Sequence, residues 1–153
     1  MDFVLKVQWS GEGMDENLIN QLLALPGEEL HLEKGDFLFH EGDKAEHFYV
    51  VLKGRMSIKK FESSGHIFAL RLVGPNNVIG EVPLYDENTK TYVFNAIARE
   101  DCSVYSIRYD VLESAIAKDH SLAIAMMKIY TLHMRRQQAK YRDLLLYGKK
   151  GAF

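Results

Sequence analysis

FLFHEGDKAEHFYVVLKG, residues 37–54, decides how the rest of the chain is read. Two short apolar runs, FLF and HFYVVL, flank Gly42-Asp43, and Gly54 closes the second run. Glycine supplies the positive φ that tight corners require, so the stretch predicts strand, turn, strand, turn. The same pattern extends over residues 29–109 as HLE, FLF, HFYVVL, MSIKKF, IFALRLV, NVI, TYVFNAIA and SVYSIRY, separated by Gly, Asn, Asp and Ser clusters. Short strands with regularly spaced turns indicate a sandwich, jelly roll or barrel.

Helices are expected on both sides of this β section. Asp15 caps a short one carrying Leu18, Ile19, Leu22, Leu23 and Leu25, which Pro26-Gly27 stops. Asp110 opens another, with Glu113 three residues on completing a capping box and Val111, Leu112, Ala115 and Ile116 supplying an apolar stripe. The longest helical stretch covers 121–147, free of Gly and Pro until Gly148. Within it Met127, Tyr130, Met134, Gln137, Tyr141 and Leu144 alternate steps of three and four, the spacing of a coiled-coil seam. A second stripe of Leu122, Met126 and Ile129 covers only the first half and is expected to dock on the β section. The helix therefore reads as docking at its start and pairing with a second copy further along. The competing arrangement is one amphipathic helix folded back on its own domain.

With 153 residues, 47% of them apolar and 26% charged, the chain suits one ordinary globular domain that buries a core unaided. A formal charge of −2 argues against a surface whose main task is coating nucleic acid or an anionic membrane. Cys102 is the only cysteine, which excludes an intrachain disulfide and a four-thiolate cluster or zinc knuckle and fits a reducing cytoplasm. The opening MDFVLKVQW has neither the basic start nor the long apolar run of an export signal, and no stretch has the length and apolarity of a membrane span.

The Gly42-Asp43 turn, the Phe48-Tyr49 strand ending at Gly54, and the Gly80-Glu81 pair after a short apolar run resemble, in order and spacing, the cyclic-nucleotide-binding domain of the Crp/Fnr family of bacterial transcription regulators. The resemblance covers nearly the whole chain. It implies an α+β fold: an antiparallel β-roll of jelly-roll type with flanking helices and a long C-terminal dimerisation helix. The implied organisation is a sensor domain over 1–118, a dimer helix over 119–147, and over 148–153 the start of a hinge to a helix-turn-helix DNA-binding domain. It also implies that Gly80 and Glu81 open a phosphate cassette in which Glu81 accepts from a ribose hydroxyl. DNA is then contacted only through the domain that would follow Phe153, so this chain alone is expected not to read an operator. Whether it is a fragment, a proteolytic core or a short natural protein stays open.

A buried cyclic phosphate needs backbone N–H groups and a paired cation. Family members that bind cyclic AMP place an arginine followed by Ser or Thr about ten residues after the glutamate. Counting back from Ala98 and Cys102 puts Tyr92 and Val93 at those positions. No arginine occurs between Arg71 and Arg99, and Lys90, beside Thr91, is the one cation of the cassette. A lysine lacks the bidentate fork that matches a phosphate. Losing one partner of a desolvated pair costs about 3 to 5 kcal/mol, on the order of 10² to 10⁴ in affinity. Where cyclic-AMP binders present Thr-Ser to the adenine, this chain has Gln137-Gln138, which suit either a ligand contact or, for Gln137, a polar register residue in the seam. The expected effector is a small molecule other than cyclic AMP.

Two readings from other classes stay beside this one. A cupin-like metalloenzyme would use His31, His40, His47 or His66 with Glu41 or Glu46, but neither HxH nor HExxH occurs. A stand-alone dimerising module would sense nothing. No Walker loop and no nucleophile arrangement is legible, so no catalytic residue, metal or cofactor is expected. Arg135, Arg136, Lys140, Arg142, Lys149 and Lys150 complement the helix dipole at its C-terminal end.

Overall fold

The computed structural model describes residues 14–81 and 90–152, with side chains of 68–70, 140 and 147–152 outside the description. The opening stretch read for an export signal, residues 1–9, lies outside the described residues, as does the middle of the cassette, 82–89. Two compact units are present, Met1–Ala115 and Ile116–Phe153.

In the first unit, α1 (Glu16–Leu23) begins where the Asp15 carboxylate accepts from the Asn17 N–H at 3.2 Å, satisfying one of the free amides of the first turn. Eight strands follow: β1 (Glu28–Leu32), β2 (Phe37–Phe39), β3 (His47–Lys53), β4 (Met56–Phe61), β5 (Ile67–Val73), β6 (Val78–Ile79), β7 (Asn95–Ala98) and β8 (Cys102–Arg108). They form two antiparallel four-stranded sheets, ordered β1-β8-β3-β6 and β2-β7-β4-β5. Consecutive strands are thus distributed between sheets, which is the jelly-roll arrangement.

Alternation along each strand builds the core. The first sheet turns Leu32, Tyr49, Val51, Ile79 and Val104 inward, and the second meets them with Phe39, Met56, Ile58, Val73 and Ala96. β3 is buried on both faces. Its other side carries Phe48 and Val50, fully buried, and α1 packs on this strand with Leu18, Ile19 and Leu22. Each such side chain stabilises the fold by about 2 kcal/mol relative to exposure. Gly54, in the β3–β4 turn at φ +79°, is held against the Asp101 carbonyl, where any Cβ would collide.

Three local expectations need correction. Of TYVFNAIA only Asn95–Ala98 joins the sheet. Residues 90–92 instead pair with the 43–45 loop, where Ala45 N–H donates to Lys90 O and Tyr92 N–H to Asp43 O. The helix after β8, α2 (Tyr109–Lys118), starts one residue earlier than expected and has no Asp110–Glu113 capping box, because the Asp110 carboxylate takes the Arg108 guanidinium and the adjacent Val111 N–H. This pairing holds the exposed Asp110 carboxyl below the usual carboxylate range.

In the second unit α3 (His120–Ala152) follows Asp119, whose carboxylate accepts from Ser121 N–H at 2.9 Å. It continues five residues past the expected end at 147, through Gly148 to Ala152. A single helical glycine costs about 1 kcal/mol against alanine, and no proline lies between Gly148 and Ala152. Leu122, Met126 and Ile129 are buried. Of the expected seam, Met127, Met134, Tyr141 and Leu144 are exposed large apolar residues, Gln137 is exposed and Tyr130 is half-buried.

Candidate functional site

The turn Gly74-Pro75-Asn76-Asn77 delivers the chain into the site. Pro75 presets φ, Asn76 takes the positive φ of +63° that a type II turn demands, and buried Asn77 donates its side-chain amide to the Gly74 and Pro75 carbonyls. Val51 N–H donates to Asn77 O and Asn76 N–H to Val51 O, which seats β6 on β3. Gly80 then turns at φ +89°, a conformation that strains any L side chain. A Cβ there would also press on His47 O at 3.1 Å. The turn points Glu81 inward, where only 2% of the residue is exposed.

A buried carboxylate must find a cation or give up its charge. Glu81 finds Arg71, whose Nη2 donates to its Oε1 at 3.2 Å. Arg71 lies on β5 in the same phase as Val73, so the pleat turns it inward. Gly80, Glu81 and Arg71, with Phe39, Tyr92 and Phe94, line a cavity of ≈ 30 Å³. Such a volume admits water, whereas sites for organic ligands measure about 300 Å³ or more.

Tyr92 closes the other side. Its ring stacks on Phe39 with centroids 3.7 Å apart, and its hydroxyl donates to His47 O at 2.8 Å while accepting from His47 N–H at 3.2 Å. Burial pushes the Tyr92 and Tyr49 phenols up from their ordinary value, so both stay protonated at neutral pH. Tyr109, the first residue of α2, donates its hydroxyl to Gly80 O, joining the cassette turn to that helix.

The structure therefore brings Gly80, Glu81 and Tyr92 of the expected site residues into one cavity. Lys90 is exposed and does not line it, and half-buried Thr91 pairs as an isolated bridge with Lys44. Gln137 and Gln138 are exposed on α3. The cation beside Glu81 is Arg71, which a count along the cassette passes over because it arrives from another strand. A signal for it existed: Arg71 is the one charge in IFALRLV and shares the inward phase of Val73. Among the described residues no group of three His, Cys, Asp or Glu is placed to hold a metal. His31, His40 and His66 are exposed, and His40 pairs with Asp43 at 3.6 Å.

The model of the cyclic nucleotide-binding domain matches residues 29–119. The chain belongs to that family. It is 34% identical over 148 residues, 97% of its length, to the anaerobic regulatory protein of Bacillus subtilis, and spans 62% of that protein. Among solved structures it resembles a transcriptional regulator from Thermotoga maritima (TM-score 0.71, 22% identity, 87% of this chain and 98% of that one). It also resembles the catabolite activator protein of Thermus thermophilus (TM-score 0.69, 22% identity, 90% and 62%). These likenesses establish the fold, and the relatives are regulators of the Crp/Fnr type. The chain spans about half to three-fifths of the length of the curated regulators it matches. Among the described residues no helix is long and apolar enough to cross a membrane.

The ion pair makes a separable prediction. Arg71→Met leaves the buried Glu81 carboxylate without this cation and should lower unfolding free energy by about 3 kcal/mol in urea titrations. Arg71→Met combined with Glu81→Leu should regain most of that loss. If the single change is silent, the pair does not hold the cassette turn.

Proposed function

We propose that the chain is the sensor and dimerisation half of a Crp/Fnr-type transcription regulator whose effector is not cyclic AMP. The observation that carries this reading is the Arg71–Glu81 pair at 3.2 Å. Glu81 stands where the family's resemblance calls for a carboxylate free to accept from a ribose, and here it already neutralises a guanidinium. A nucleotide ribose would have to compete with Arg71 for the Glu81 carboxylate, and displacing the guanidinium would cost about 3 kcal/mol, about a hundredfold in affinity. At the position of the family's phosphate arginine, Tyr92 spends its hydroxyl on the His47 backbone and supplies no charge. Lys90 is exposed outside the cavity.

Signal transfer and assembly follow from the same parts. A change at Gly80 acts on Tyr109 through their hydrogen bond, and Tyr109 begins the helix that leads to α3. Pairing of two copies along α3 would cover Met127, Met134, Tyr141 and Leu144, with Gln137 setting the register. On this reading DNA contact belongs to a helix-turn-helix domain beyond residue 153.

Calorimetric titration of the full chain with cyclic AMP and with cyclic GMP tests the pocket: no saturable heat is expected at micromolar nucleotide, and a micromolar dissociation constant for cyclic AMP would overturn the reading. For the helix, Tyr130→Glu together with Met134→Glu should give monomers by light scattering. A dimer that survives both charges is held elsewhere.

A further inference from the structure

On the outward face of the second sheet, Ser57 of β4 stands between Ile97 of β7 and Leu72 of β5 in the strand register. Its neighbours Met56 and Ile58 point the other way, into the core. Lys59 follows on the same strand, Lys34 and Gly35 come from the β1–β2 turn, and Arg99 from the turn after β7. Together they line a groove of ≈ 370 Å³. Its frame is pinned by backbone bonds: Gly35 N–H donates to Ala98 O at 2.8 Å, Ala98 N–H to Asp36 O at 2.8 Å, and Arg99 N–H to Arg55 O at 3.0 Å.

Among the described residues, five cations of this unit are paired, while Lys53 and Lys90 outside the groove and the three cations lining it are not. Lys44, Arg55, Lys60, Arg71 and Arg108 each pair with a carboxylate. Among the described residues Lys34, Lys59 and Arg99 pair with none. The acids nearby in sequence are turned to other donors. Asp36 accepts from Glu33 N–H at 2.8 Å, Asp101 from Lys34 N–H at 3.1 Å, and Glu100 holds Arg55. Three cations that make no direct ion pair thus line one groove, with the Asp36 and Asp101 carboxylates held on backbone amides at its edge.

We propose that this groove is a second ligand site, separate from the cassette cavity, that binds a small organic anion carrying two or more carboxylate or phosphate groups. Arg99 offers the planar fork that matches either group, and the two lysines act as point charges on the remaining oxygens. Leu72, Ile97 and Ala98 form an apolar floor for the carbon frame, and the Ser57 hydroxyl supplies one directional contact. The volume lies near the lower end of ordinary small-molecule sites, about 300 to 1,000 Å³, which favours a compact metabolite over a protein segment. This inference does not rest on the reading of the cassette.

Citrate and pyrophosphate are the probes, titrated into the full chain at ionic strength held constant with potassium chloride, and followed by calorimetry and amide chemical shifts. At least one should saturate at millimolar concentration or below, moving the amides of Ser57 and Ala98, while acetate does not. The preferred probe tells carboxylate from phosphate recognition. Arg99→Gln and Lys59→Gln should each weaken binding about tenfold. Lys53→Gln, at an exposed lysine outside the groove, should leave it unchanged. Absence of saturation by both probes, or equal losses in all three variants, would overturn the proposal, the latter because it would reduce the effect to unspecific charge.

Discussion

Within the cassette, Tyr92 is held by contacts to both sheets. Its ring lies flat on Phe39 of the second sheet, while its hydroxyl exchanges two hydrogen bonds with the backbone of His47 on the first. One side chain therefore ties both layers of the roll to the segment that follows the cassette. Because the hydroxyl is used by the backbone, and because burial keeps it protonated, it contributes packing and a fixed dipole in place of positive charge. The adjoining backbone obeys the same constraint: Gly42 N–H donates to Tyr92 O and Tyr92 N–H to Asp43 O, so the Gly-Asp turn and the cassette's end form one ladder.

That arrangement explains why Arg71 matters. A jelly roll that buries Glu81 to 2% exposure must neutralise it, and the cation comes from Arg71 of β5. Such a buried pair adds little net stability compared with apolar side chains of similar size, but breaking it is costly. On the proposed reading, a ligand that needs Glu81 released has to overcome that cost. Tyr109, bonded to the carbonyl of the residue beside Glu81, places the start of α2 within reach of whatever does release it.

Much of this was legible from residue order alone. Alternation and glycine punctuation located the β section with boundaries close to those of the strands, because each inward residue and each positive-φ corner leaves a local mark. The apolar stripe along α3 was legible too, and Met127, Met134, Tyr141 and Leu144 are exposed on it. Local marks failed where tertiary partners decide. TYVF reads as strand but serves as a ladder to residues 43–45, Asp110 reads as a cap but is claimed by Arg108, and Gly148 reads as a stop that nothing enforces. The largest omission was Arg71. Its phase said inward, but its pairing with a glutamate ten residues on depends on β6 crossing to the other sheet, and no spacing rule encodes that.

Glu81 is held by Arg71 and Tyr92 is docked on Phe39, and the most direct test of both is a crystal structure of the full chain grown with excess cyclic AMP. The predicted result is an unchanged cavity, with Arg71 on Glu81, the Tyr92 ring on Phe39 and no nucleotide between them. A nucleotide whose ribose bonds Glu81 and whose phosphate has drawn Arg71 away would contradict it.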